Sequence, residues 1–386
     1  MHQRDIINKI REIFQQPTGF IPLHAPVFTG NEKKYLNECI DSTFVSSVGK
    51  FVDLFEETTA VYCGSEKAVA CVNGTNALHL ALLLVGVEPD TEVITQPLTF
   101  IATANAISYC RAIPVFVDVD LETMGLSPQS LLHFFEKHTQ QVPDPVSGTM
   151  KCVNKNTGKQ ISACLPVHTF GHPCRIDEIV EICNANRVPV VEDAAESIGS
   201  FYKNKHTGTY ADIGVLSFNG NKTITTGGGG MLLFRNAETA NRAKHLTTQA
   251  KLPHPWEFVH DEIAYNYRMP NLNAALGLAQ IEKIDSYIES KRKLAAQYFE
   301  FFCETEIKFL IEPQHAKSNY WLNCVLFPDK ESRDRFLDYS NNAGVMTRPA
   351  WQLMYKLKMY KHCEVHDVKN ALYIADRLVN LPSSVI

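Results

Sequence analysis

Val190-Val191-Glu192-Asp193-Ala194-Ala195-Glu196 sets an apolar run against two carboxylates and two small residues. With Pro189 before it, the run reads as a short β-strand over 189–192. In open α/β sheets, ligands bind beyond the carboxyl ends of the strands, and Asp193 falls at such an end. Read alone, Asp193 is also a helix-capping acid at a strand–helix turn.

The chain on either side supplies the rest of the sheet. Residues 68–72, 92–94, 114–118 and 164–167 are β-rich runs. Between them, residues 75–84, 99–109 and 176–186 have helical spacing, and Ser127-Pro128 opens a further helix as N-cap and first helical residue. Repeated β-α-β units predict an α/β fold with a mostly parallel central sheet and helices on both faces. Residues 140–160 are polar and turn-rich, and read as an exposed excursion or hairpin. Downstream, residues 213–218 and 230–234 are strands flanking a glycine-rich turn. A long helix is expected over 271–290, continuing to 302, with strands at 320–327 and 344–347. This predicts a large α/β domain over 1–252, including an N-terminal helix, and a smaller C-terminal α+β domain over 253–386.

The formal net charge of −5 argues against nucleic acid or an anionic membrane as the main partner, since both select basic surfaces. Eleven cysteines, an odd number without C-x-x-C spacing, read as free buried thiols in a reducing compartment. Residues 1–16 carry Ile6, Ile7, Ile10 and Ile13 on one helical stripe among charges, which is not a signal peptide. No apolar run is long enough to span a bilayer, so the cytoplasm is the expected location.

Two further stretches join Asp193. Asn73-Gly74-Thr75-Asn76 lies between a strand and a helix, where unpaired N–H groups and the helix dipole suit a phosphate. Taken alone, a plain N-cap turn is the favoured reading. Ser217-Phe218-Asn219-Gly220-Asn221-Lys222-Thr223 places one lysine after a strand among small and polar neighbours. A Schiff-base lysine needs that setting, although a solvated loop lysine has the same neighbours. The glycines at 227–230 lack the order of a dinucleotide or P-loop motif. Together the stretches offer an anion cradle, a carboxylate and an amine.

These residues, with Pro97-Leu98-Thr99-Phe100 and Thr225-Thr226-Gly227-Gly228, resemble the signature set of the sugar-nucleotide aminotransferases, the DegT–StrS group of fold-type I pyridoxal-phosphate enzymes. The similarity runs from about residue 21 to 280, and more faintly to the end. Ser46-Ser47-Val48-Gly49-Lys50 and Asn219-Gly220-Asn221-Lys222 look most like enzymes that aminate C4 of UDP-4-keto-6-deoxy-N-acetylglucosamine. The resemblance implies pyridoxal 5'-phosphate as cofactor, alternating with the pyridoxamine form, and L-glutamate as amino donor. It implies that Lys222 attaches the cofactor and moves the proton, that Asp193 binds the pyridine nitrogen and that Phe100 lies on the ring face. Gly74, the Thr75 and Asn76 amides and the Ser217 hydroxyl would hold the phosphate, with Asn219 bordering the site. It further implies a homodimer with shared sites, in which Tyr265-Asn266-Tyr267-Arg268 reaches across and Arg268 meets phosphate. Where many members carry Gln or His toward the cofactor's phenolic oxygen, this chain has Glu196. That carboxyl is expected to be protonated, turned away or bridged by a donor.

Other residues are weighed and set aside. His168 reads either as a cofactor or substrate contact or as a structural histidine. Tyr320 and Trp321 could border a nucleotide, but aromatics opening a strand usually belong to the core. His254, His260, Asp261 and Glu262 fit no metal motif. An aminotransferase for another keto-sugar, a lysine-free sugar dehydratase and a non-catalytic relative are the rival readings. The retained Lys222, Asp193 and cradle disfavour the last two.

Overall fold

The computed structural model describes residues 2–145 and 148–386. Its central sheet contains β1 (Lys67–Cys71), β2 (Glu92–Thr95), β3 (Ile113–Val117), β4 (Ile161–Leu165), β5 (Val191–Asp193), β6 (Ile213–Ser217), β7 (Gly230–Phe234) and β8 (Val365–His366). Ladders join β1-β7-β6-β5 and β4-β2-β3-β8. The parallel bridges Cys164↔Val190 and Val167↔Asp193 connect β4 to β5, so the layer is continuous. Within its described ladders, β7 alone runs antiparallel to its neighbours.

Period-two alternation splits each strand between two cores. Val69 and Cys71 of β1 face a cluster built on helices Gly74–Leu84, Ile101–Tyr109 and Ala237–Thr247. Ala68 and Ala70 face the other side, under helices Lys50–Cys63 and Asn271–Ile281. Helices Pro128–His138 and Ile176–Ala185 cover that side of β3 and β4. The predicted cap at Ser127 is present, with its hydroxyl accepting from Ser130 N–H and Pro128 opening the helix.

A second, antiparallel sheet joins Lys308–Phe309, Asn323–Leu326, Leu378–Leu381 and Arg348–Pro349. The N-terminal helix Gln3–Ile13 packs here, with Ile6, Ile7, Ile10 and Ile13 against Leu294, Tyr298, Phe336 and Val345. The polar excursion is a hairpin of Thr139–Pro143 with Met150–Asn154; positions 146 and 147 of that stretch lie outside the described residues.

Three expectations need correction. The strand expected at 344–347 is only a single bridge, Ile21↔Val345, and the strand lies just beyond it at Arg348–Pro349. The helix expected over 271–302 is two helices, Asn271–Ile281 and Ile284–Phe302. Near the break Gln280 Nε2 donates to Val27 O and Glu32 Oε1, and Asn31 Nδ2 donates to Glu282 Oε2, tying the end of the first helix to a distant segment. The strand expected at 320–327 starts only at Asn323, because Tyr320 takes a left-handed conformation (φ 47°) and turns the chain. Ten of the eleven cysteines are buried and all are free. Among the described residues no helix is long and apolar enough to cross a membrane.

Candidate active site

Three chain segments meet at the carboxyl end of the central sheet. After β1 the chain turns at Asn73, whose side-chain oxygen accepts the Asn76 N–H at 2.8 Å and caps helix Gly74–Leu84. That helix start lies against Ser217, the last residue of β6. A Cβ at Gly74 would stand 2.9 Å from Ser217 Cβ, so only glycine permits this approach. A Cβ at Gly230 would likewise fall 2.5 Å from the Asn73 carbonyl oxygen, which accounts for the last residue of the glycine run. The dipole end of a helix and a hydroxyl therefore share one corner, as an anion site requires. The Asn76 amide donates to the Asn73 side chain here.

At the end of β5 the two acids part. Glu192 is buried behind the sheet, where it accepts from Gly208, Tyr210 and Ala211 N–H and pairs with His168 Nε2 at 3.0 Å. His168 is fully buried and its Nδ1 accepts from Cys174 N–H, so the structural reading of this histidine holds. Asp193 points into the cleft instead. Its Oδ2 accepts from Thr103 Oγ1 at 2.8 Å and its Oδ1 from Ala195 N–H at 3.2 Å. Burial raises its pKa, while Thr103 and the Ala195 amide hold it down. Thr99 completes the chain, 2.7 Å from Thr103.

Lys222 follows β6 on a loop closed by its own N–H to Asn219 O. Its Nζ stands 3.5 Å from Glu196 Oε1 and 3.9 Å from the centre of the Trp321 ring. Glu196 is 5% exposed, and its second oxygen accepts Phe170 N–H at 2.7 Å. Burial pushes its pKa to about 7; Asp193 adds to the rise, and Lys222 and the Phe170 amide oppose it. Of the expected alternatives, the carboxyl is thus bridged by a donor and aimed at the lysine.

Gly74, Thr75, Phe100, Asp193, Glu196, Ser217, Asn219 and Lys222 line one cleft of about 400 Å³. Thr103 and Trp351 also line it without having been expected there, and so does Trp321, weighed from sequence as a nucleotide contact but set aside as core. Thr103 had no local signal, since its partner lies 90 positions away. Tyr320 does not reach the cleft: it is 6% exposed, and its hydroxyl accepts the Glu312 N–H. Asn266 and Arg268 also lie outside it. Arg268 bridges to Cys71, and its Nε is buried without a partner. The 46–50 stretch does not line the cleft; a Cβ at Gly49 would fall 2.3 Å from Asn271 Cγ, and Asn271 N–H donates to Ser46 O. Asp261 and Glu262 gather at His245, but Arg242 forks onto Glu262 and Asp261 pairs with His245 Nε2.

A mostly parallel sheet carrying an amine, a buried carboxylate and an anion cradle at one end defines the class of fold-type I pyridoxal-phosphate enzymes. The chain belongs to the DegT/DnrJ/EryC1/StrS aminotransferase family, whose model matches residues 27–385. It is a pyridoxal-phosphate-dependent sugar aminotransferase. A GDP-perosamine synthase of Escherichia coli O157:H7 is 37% identical over 369 residues, spanning 94% of this chain and 93% of that protein. A putative pyridoxal phosphate-dependent aminotransferase, EpsN of Bacillus subtilis, is 35% identical over 341 residues, or 88% and 84% of the two chains. Among solved structures, the aminotransferase TlmJ of Streptoalloteichus hindustanus superposes with a TM-score of 0.84 at 26% identity, covering 95% of this chain and 94% of that one.

Proposed function

We propose that the protein moves the amino group of L-glutamate onto C4 of a 4-keto-6-deoxy sugar carried on a nucleoside diphosphate. The observation that carries this reading is the meeting of Lys222, Asp193 and the Gly74–Ser217 corner in one cleft. Pyridoxal phosphate, when bound, supplies an electron sink that the side chains lack. In this reading Asp193, buried and doubly hydrogen-bonded, keeps a proton on the ring nitrogen. Gly74, Thr75 and Ser217 hold the phosphate, Phe100 covers a ring face, and Asn219 borders the pocket. Lys222 Nζ takes the proton from the α-carbon of glutamate and, in the second half-reaction, delivers one to C4 of the sugar.

The 37% identity to a GDP-perosamine synthase supports a GDP-linked acceptor. A second reading has UDP-4-keto-6-deoxy-N-acetylglucosamine as acceptor, giving UDP-4-amino-4,6-dideoxy-N-acetylglucosamine. It rests on the resemblance carried by residues 46–50 and 219–222. The unpartnered Arg268 Nε supports a homodimer in which this segment serves the neighbouring cleft, since a forked guanidinium suits phosphate. A cytoplasmic location is part of this reading.

The test supplies [15N]glutamate with each keto sugar in turn. Isotope in one 4-amino product assigns that acceptor. Isotope in neither, with glutamate still consumed in the first half-reaction, rejects both sugars and leaves the aminotransferase.

A further inference from the structure

Trp321 comes from the C-terminal half of the chain, yet its indole lies against the catalytic loop. Lys222 Nζ sits 3.9 Å from the ring centre, well inside the range for a cation over an aromatic face. Trp321 is held through its indole and through both of its backbone groups. Its Nε1–H donates to Asn221 O at 2.7 Å, one residue before the lysine. Its backbone N–H donates to Asn319 Oδ1 at 2.8 Å, and its carbonyl accepts from the buried Lys291 Nζ at 3.2 Å. Asn319 in turn donates to the Glu196 and Ile198 carbonyls. One turn therefore fixes the indole, the lysine loop and the backbone of Glu196 together.

We propose that the Trp321 ring face is the docking surface for the Lys222 ammonium whenever that amine is not bonded to cofactor, making Trp321 a positioning residue. The inference rests on the role of Lys222 given above. An amine released halfway through a two-step transfer must stay aimed at the reacting carbon rather than swing into solvent. The ring face holds it without forming a bond that must later break, and Glu196 Oε1 at 3.5 Å limits its swing on another side. The other titratable groups facing it are Asp193, from the end of β5, and His24, from the N-terminal segment, which burial keeps neutral; Lys291 lies behind the Trp321 carbonyl. A cation on a ring face is held there by the ring's electrons, so docking keeps the amine beside the cleft and shields it from reagents in solution.

The test follows the rate of acetylation of Lys222 at one fixed pH by peptide mass spectrometry, in full-length holoenzyme loaded with L-glutamate. Wild type is compared with Trp321→Phe and Trp321→Leu. Docking on the ring requires the labelling rate to rise roughly fivefold in the leucine variant and by less in the phenylalanine variant. Trp351→Leu, which alters another wall of the cleft, should leave the rate in place. If Trp321→Leu labels at the wild-type rate, docking is wrong. An equal rise in both Trp321 variants would assign the effect to the indole N–H clamp and also overturn the ring proposal. Should the leucine variant not fold, an unmoved rate in Trp321→Phe together with an unmoved one in Trp321→His would overturn it. The underlying reading fails separately: in that case Lys222 of wild type labels as fast without L-glutamate as with it.

Discussion

Lys222 Nζ lies 3.5 Å from Glu196 Oε1, and the other oxygen of that carboxyl accepts the Phe170 N–H at 2.7 Å. A buried carboxyl thus faces the amine at the position where relatives were expected to show Gln or His. Burial sets its pKa at about 7, above the ordinary 4.5. An unfolded chain loses this proton near 4.5, whereas the folded protein keeps it to about 7. Stability from this group is therefore greatest at low pH and declines as pH rises through that window. Glu196→Gln should flatten the fall in melting temperature between those values, as measured by thermal unfolding across the range. It should also shift the spectroscopic titration of the cofactor-loaded protein.

Thr103 donates to Asp193 Oδ2 at 2.8 Å inside a buried site. Thr103→Val removes the donor and keeps the shape, leaving a charged oxygen less well satisfied. Cofactor affinity should fall roughly tenfold, matching about 1–3 kcal/mol for a lost buried partner. Equilibrium dialysis measures this, and Thr103→Ser should restore most of the affinity.

Asp193→Asn replaces the charge with a neutral group of the same size. Turnover should drop by about two orders of magnitude, in line with about 1.5–3 kcal/mol for a hydrogen bond to a charged group. Circular dichroism should be unchanged, because the new amide oxygen can accept the Ala195 N–H and its NH2 can donate to the Thr103 hydroxyl, which accepts as well as donates.

Gly74→Ala places a methyl 2.9 Å from Ser217 Cβ. The helix start and the end of β6 must separate, at a cost of about 1–3 kcal/mol. Phosphate and cofactor binding should weaken together, and Ser217→Gly in the same chain should recover part of the loss. Calorimetric titration with inorganic phosphate reads the cradle apart from the rest of the cofactor.

His168 and Glu192 form a buried pair 3.0 Å apart, away from the cleft. His168→Ala should destabilise the protein by about 3–5 kcal/mol, because it strands a buried carboxylate. Urea unfolding measures the loss. In protein that remains folded, cofactor affinity should change little.

Much of this fold could be read locally. The strands around Asp193 and the Ser127-Pro128 helix start carry their signals in adjacent residues, and the structure places them within a few positions of expectation. The edge strand β8 could not be read that way, because Val365 and His366 meet β3 only through the fold. The break after Ile281 has no glycine or proline to announce it; contacts from Val27, Asn31 and Glu32 accompany it. At the site, Lys222, Asp193 and Ser217 stood out by type and position. Trp321 was noticed but set aside as core together with Tyr320; a left-handed Tyr320 separates the two, leaving its own ring in the core and its neighbour's at the cleft. Thr103 was hidden for the same reason as β8: its partner is distant in sequence.

The most direct test of the account is borohydride reduction of the cofactor-loaded protein followed by peptide mass spectrometry. The account requires the reduced pyridoxal-phosphate mass on the peptide containing Lys222, and its disappearance when L-glutamate is added before the reductant. A mass on another lysine, or none on Lys222 in protein saturated with cofactor, would contradict it.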